Sequence, residues 1–199
     1  MSTLKTTNIQ HPSAGSPNLV LAADGSVSGG AGLGGLVHIH TEDVTSATSY
    51  VTINNVFSSE YSSYRIVMNS METATSGFIK FQPTSSGTPE SSSNYFWSYD
   101  GSRHNATTFV TSGSNDTSFI FSTGRNTGIY GGGVLDLFDI NAAKRTAFVS
   151  NVNVGEPSYY NRFSAGGVLD TTGQYDGLKI FHVSSTLTGT IRIYGYAND

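Results

Sequence analysis

In the run Tyr64-Arg-Ile-Val-Met-Asn69, the apolar groups Tyr64, Ile66 and Met68 occupy every second position, with Arg65, Val67 and Asn69 between them. A period of two puts those three groups on one face of an extended strand, whereas a helix would scatter them. The same rhythm continues in both directions. Tyr50-Val-Thr-Ile53 precedes it, and Phe78-Ile-Lys-Phe81, Tyr95-Phe-Trp-Ser-Tyr99, Phe109-Val110, Phe119-Ile-Phe121, Val134-Leu-Asp-Leu-Phe138 and Ala147-Phe-Val-Ser-Asn-Val152 follow. Tyr160 to Phe163, Leu178-Lys-Ile-Phe-His-Val183 and Gly189-Thr-Ile-Arg-Ile-Tyr-Gly-Tyr196 close the series. About ten short strands divided by Gly, Asn and Ser turns describe an all-β fold, an antiparallel β-sandwich of jelly-roll type. The last two runs read as a hairpin across Ser184 to Thr188, and Asn141-Ala-Ala-Lys144 has the modest propensity of a single helical turn.

Composition agrees. Ser (29) and Thr (23) exceed a quarter of the 199 residues while only 12% are charged, and 23 Gly accompany 11 Phe and 11 Tyr. This is the chemistry of sheet and turn, with solubility resting on hydroxyls and amides. A net charge of -4 and the absence of any Lys/Arg run argue against nucleic-acid partners. No stretch approaches the ~20 apolar residues of a membrane span, so membrane insertion is not expected. With no cysteine, neither disulfides nor thiolate metal sites can hold the fold. The N-terminus also lacks the basic and apolar regions of a secretory signal.

Upstream of the strands the pattern changes. Residues 1–17 contain two prolines and few apolar groups, and read as an extended arm that is ordered against a partner. Asn18-Leu-Val-Leu-Ala-Ala-Asp-Gly-Ser-Val27 then reads as a hairpin turning at Asp24-Gly25. Its few bulky groups cannot build a core alone. Threefold association would let Leu19, Leu21 and Val27 bury one another, with the glycines from Gly29 to Gly35 allowing close backbone approach. The expected organisation is an arm at 1–17, a trimerising stalk at 18–47 and a β-sandwich at 48–199. Gly30-Ala-Gly-Leu-Gly-Gly35 has dinucleotide-fingerprint spacing, but the following Leu36-Val-His-Ile-His40 reads as strand instead of the helix that motif requires.

The opening Ser2-Thr-Leu-Lys-Thr-Thr-Asn-Ile-Gln-His-Pro12, its Ser/Gly/Pro spacer and the segment Asn18 to Val27 resemble the N-termini of fibre and appendage proteins of tailed phages, marine ones in particular. The resemblance covers little more than the first thirty residues. It implies attachment to other virion proteins through Leu4, Ile9, His11, Leu19, Leu21 and Val27, a homotrimer, assembly in the host cytoplasm and a variable β-rich distal domain. His38-Ile-His40 adds a metal expectation. Residues i and i+2 of a strand point the same way, so three pairs on a trimer axis would present six imidazoles to a transition metal. Similar His-x-His pairs in some phage fibres bind iron, and the resemblance implies the same for His38 and His40.

For ligand binding, the densest cluster is Tyr95, Phe96, Trp97, Tyr99, Asp100, Arg103 and His104. Exposed rings beside acid, amide and guanidinium groups suit a sugar, whose CH faces pack on aromatics while polar neighbours orient its hydroxyls. The alternative is that the side carrying Tyr95, Trp97 and Tyr99 is core. Tyr159, Tyr160 and Arg162 form a second candidate of the same kind. Glycoside hydrolysis needs paired carboxylates, and Asp136 with Asp139 or Asp170 with Asp176 are the nearest options. The first pair does not share a strand face and the second sits in turn sequence, so no enzyme is expected. The functional expectation is a trimeric virion appendage, tail-fibre-like, that attaches to host-surface polysaccharide. The alternatives are a capsid decoration or head-fibre connector and, last, a polysaccharide-degrading enzyme.

Overall fold

The computed structural model describes residues 8–9, 19–21, 27–29, 35–75, 77–103, 108–124, 131–156 and 159–197, with backbone alone for those before 35 and for 109, 122–124, 156 and 159. Strands β1 (Asn8–Ile9), β2 (Leu19–Leu21) and β3 (Val27–Gly29) make a small antiparallel sheet in that order. Leu21 lies opposite Val27, which is the pairing expected of a hairpin turning near Asp24-Gly25. Residues 8–9 of the arm join this sheet, with Ile9 opposite Leu19. Leu4 and His11 lie outside the described residues.

The remaining strands are β4 (Leu36–Thr48), β5 (Tyr50–Ile53), β6 (Tyr61–Thr73), β7 (Gly77–Ser85), β8 (Thr88–Pro89), β9 (Tyr95–Arg103) and β10 (Thr108–Asp116). They continue with β11 (Phe119–Gly124), β12 (Gly131–Phe138), β13 (Thr146–Glu156), β14 (Tyr159–Leu169), β15 (Gly177–His182) and β16 (Leu187–Ala197). One sheet of eight strands runs β10-β9-β14-β13-β12-β6-β16-β4, and a second of five runs β11-β7-β15-β5 with β8 paired to β7. Every pairing is antiparallel. The fold is an all-β sandwich.

The alternation in Tyr64 to Asn69 does what its period dictates: Tyr64, Ile66 and Met68 are fully buried, and Arg65, Val67 and Asn69 face outward. Leu135, Leu137, Ile191 and Ile193 join them from the neighbouring strands of the same sheet. Ile79, Phe81, Phe119, Phe121, Leu178 and Ile180 meet them from the other sheet. At the centre, Phe119 lies 4.2 Å from Phe148, 4.7 Å from Tyr95 and 5.0 Å from Phe81, centroid to centroid. Each such ring contributes about 1.5–3 kcal/mol by burial, with a further increment where the contact is edge-to-face, as between Tyr95 and Phe119.

Three sequence expectations change. First, the stalk does not extend to residue 47, because Leu36–Thr48 is an edge strand of the eight-stranded sheet, paired with β16 from Leu36↔Tyr196 to Thr48↔Leu187. Val44 is buried and Ile39 packs against the core, so apolar positions in the expected stalk belong to the sandwich. Second, β15 and β16 are not a hairpin: β15 pairs β5 and β7, while β16 pairs β4 and β6 in the opposite sheet. A short link between alternating strands can cross the sandwich edge as readily as turn back on itself. Third, Asp139 to Lys144 is a turn with Asp139 at φ 58°, not helix. The chain changes sheets repeatedly, as a jelly roll does, but adds a β9–β10 hairpin and a β12–β13–β14 meander within one sheet.

Candidate functional site

The meander and the hairpin bring two separate sequence clusters together. Strand β14 lies between β9 and β13, in a register that puts Arg162 beside Ser102 and Asn153, Asn161 beside Arg103 and Val154, and Tyr160 beside Gly155. Residues in register share a face, so Ser102, Arg162 and Asn153 form one row across the outer surface. A cleft of about 520 Å³ opens beside this row, lined by Ser102, Asn153, Tyr160 and Arg162 of the outer face, by Arg103, Val154 and Asn161 of the inner one, and by Gly155. That volume lies within the range of small-ligand sites. Tyr160 is 70% exposed while Asn161, one residue on, is 3% exposed. The lining thus joins an accessible phenol ring to two guanidinium groups and two carboxamides, with no Asp or Glu among them.

Other sequence candidates lie elsewhere. Trp97 and Tyr99 point to the inner side, where they pack against the core and stack on one another at 6.1 Å. Gly113 sits directly against the Trp97 indole, whose N–H donates to Asp116 at 3.1 Å. These two rings are packing groups, because alternation that buries Tyr95 carries Trp97 and Tyr99 to the same side. Asp100 lies on the outer face opposite Ser164, one row away from Ser102. Tyr159 pairs through its backbone with Glu156, and His104 lies outside the described residues.

His38 and His40 do not converge. The β4–β16 register skips a residue, so that His40 opposes Ile193 and His38 opposes Tyr194. Consecutive residues of β16 face opposite sides of the sheet, and Ile39 is the extra residue of a bulge that turns the two imidazoles apart. His38 packs edge-on against Tyr194 at 5.5 Å and bonds Thr41, while His40 lies 3.2 Å from Glu42. Among the described residues, no three His, Asp or Glu side chains gather as a ligand set.

Comparison with known proteins finds no family model that matches the chain and no curated protein similar to it in sequence. The cleft therefore has to be read from its own chemistry. An exposed tyrosine face beside fixed donors can hold the apolar face of a pyranose while guanidinium and amide groups bind its oxygens. Sequence reading found Tyr160, Arg162 and Arg103, but not Asn153 and Asn161. Asn153 was visible in principle: Asn151-Val-Asn-Val154 alternates, which sends Asn151 and Asn153 outward.

The acidic pairs have structural partners. Asp136 receives two parallel hydrogen bonds from Arg65 at 2.8 and 2.7 Å and a third from the Tyr196 hydroxyl. Asp139 lies near Lys144, and Asp170 pairs with Arg145. Asp176 accepts the backbone N–H of Ser86 through both oxygens, closing the turn after β7.

Proposed function

We propose that the chain is a virion appendage of a tailed phage that binds host-surface saccharide, without catalysis, through the cleft between β9, β13 and β14. The N-terminal resemblance supplies the virion assignment, and trimerisation through the segment before Gly35 goes with it. The observation that carries the binding role is the union of Tyr160, Arg162 and Arg103, drawn from strands about sixty residues apart in sequence, around one open cleft. The engagement of Asp136, Asp170 and Asp176 by other groups supports binding over hydrolysis. Glycan-array binding of the full chain tests it. Retention that falls in Tyr160→Ala but not in Trp97→Phe supports the reading, and equal retention in all three proteins overturns it.

One observation favours an architectural role as the second reading. Phe138, Ala147, Val168 and Phe96 lie in register across four strands of the outer face, and three of them are exposed large apolar groups. A contiguous apolar row suits contact with another virion protein. Loss of particle incorporation in Phe138→Ser/Phe96→Ser, with glycan retention unchanged, would assign that face to the virion.

A further inference from the structure

We infer that the chain carries a further saccharide site, for a neutral sugar, in a pocket where three loops meet at the end of the sandwich away from the cleft. The loops are the β5–β6 link, the turn after β12 and the β14–β15 link. They enclose about 380 Å³, with Ser59, Tyr61, Asp139, Lys144 and Gln174 in the lining. Strand β13 separates the two places: it opens at Thr146, just after Lys144, and reaches Asn153 of the cleft seven residues later. That length of extended chain spans more than roughly 20 Å, so one sugar residue cannot fill both, and this site does not depend on the cleft.

The pocket is preformed. The hydroxyl of the buried Tyr64 donates to the Ser58 carbonyl at 2.7 Å and accepts the Ser58 N–H at 2.6 Å. Val56 and Phe57 donate their N–H groups to the Asp176 carbonyl, and Tyr175 donates to that of Ile140. The Asn141 carboxamide donates to the Tyr175 carbonyl at 2.8 Å, and that of Gln174 to the Asn141 carbonyl at 3.1 Å. The three loops are thus tied into one frame, and little ordering cost remains for a ligand to meet.

Its chemistry favours hydroxyls over charge. The Lys144 ammonium stands 3.8 Å from a carboxylate oxygen of Asp139, beyond hydrogen-bond reach. One hydroxyl oxygen about 2.8 Å from each can donate to the acid and accept from the ammonium. The two charges cancel, so neither an anion nor a cation gains net attraction, whereas a hydroxyl uses both. Gln174 and Ser59 supply groups that donate and accept, and Tyr61 an aromatic surface for the CH face of a pyranose.

The test is a titration of the full chain, followed by heteronuclear NMR, with the methyl glycosides of glucose, galactose and mannose and with glucuronate and galacturonate as acidic counterparts. The expected result is saturable movement of the Asn141 and Gln174 side-chain amide signals with at least one neutral glycoside. Asp139→Asn and Lys144→Met should each weaken it about tenfold or more. Asparagine tolerates the positive φ of residue 139 as aspartate does, and Lys144 is exposed, so unaltered thermal unfolding will show that both variants are folded. Tighter binding of an acidic counterpart overturns the neutral assignment. Affinity unchanged in both variants, shifts confined to Asn153 and the cleft, or no shift with any probe overturns the site. The two places report through different amide signals, so failure of the cleft leaves this result standing and failure here leaves the cleft to its own test.

Discussion

The Trp97 indole N–H donates to a carboxylate oxygen of Asp116 at 3.1 Å, tying the middle of β9 to the end of β10 beyond a bulge between Gly113 and Asp116. The same carboxylate accepts the Lys80 ammonium at 3.1 Å and the backbone N–H of Thr117 at 2.7 Å, so one acid joins both sheets at this edge. Burial acts to raise its pKa, but those three donors outweigh it and hold the carboxyl below its usual value. A carboxyl depressed in the folded state adds stability that is present above the unfolded value near 3.9 and is lost as pH falls through the depressed one. Asp116→Asn should cost about 1–3 kcal/mol in urea unfolding at neutral pH. Its deficit relative to wild type should shrink in strongly acidic solution.

Arg65 and Asp136 face each other across the β12–β6 pair on the half-exposed outer face. Two parallel bonds make this a geometry-fixed pair, reinforced by Tyr196 and by the Arg65 guanidinium lying 5.6 Å from that ring's centroid. Asp136→Ala should therefore destabilise by about 1–2 kcal/mol, a value reduced for partial exposure. The double change Arg65→Ala/Asp136→Ala should cost less than the sum of the singles, as a thermal-unfolding double-mutant cycle will measure. Additive losses would mean that the pair contributes no coupling.

The strand pattern was legible wherever one face of a strand is buried, because burial imposes a period of two that side-chain type records directly. Tyr64 to Asn69, Leu135 and Leu137, and Ile191 and Ile193 are of this kind. Sheet membership left no such mark. Leu178 to Val183 and Gly189 to Tyr196 have the alternation of a hairpin, yet pair in different sheets, since local periodicity carries no information about which neighbour supplies the hydrogen bonds. The facing of His38 and His40 is hidden from sequence in the same way: a bulge changes facing without changing composition. The cleft was half legible. Its tyrosine and arginines stand out by type, but the asparagines join them only through register.

His182 is 4% exposed, and its Nδ1 accepts the backbone N–H of Ser184 at 3.2 Å, which requires the neutral ring. Burial lowers its pKa from the usual value. A histidine depressed in the folded state binds its proton more readily after unfolding, so stability is full above about 6.5 and declines as pH falls toward the lowered value. Wild-type unfolding free energy should thus fall as pH drops below about 6.5, and His182→Gln should flatten that limb. The ring also lies where a Cβ on Gly77 would approach to 2.5 Å, at a φ of +157° that side-chain-bearing residues rarely adopt, so any substitution there is strained and the ring adds a clash. Gly77→Ala should destabilise wild type more than it destabilises His182→Ala, which provides the missing space.

Two truncations distinguish the boundary read from sequence from the one the sheet defines. Removing residues 1–34 leaves β4 in place against β16, so the sandwich should keep its unfolding temperature while light scattering reports loss of the proposed trimer. Removing residues 1–47 strips nearly all of β4, takes away the buried Val44 and the packed Ile39, and exposes β16 as a new edge. The lost apolar burial alone amounts to about 2–4 kcal/mol, and an uncovered edge strand invites aggregation. The longer truncation should therefore melt at lower temperature or precipitate. If both truncations melt like the full chain, β4 contributes nothing to the stability of the sandwich; if the shorter one still assembles as a trimer, the contacts between copies lie in the sandwich and not in the segment before Gly35.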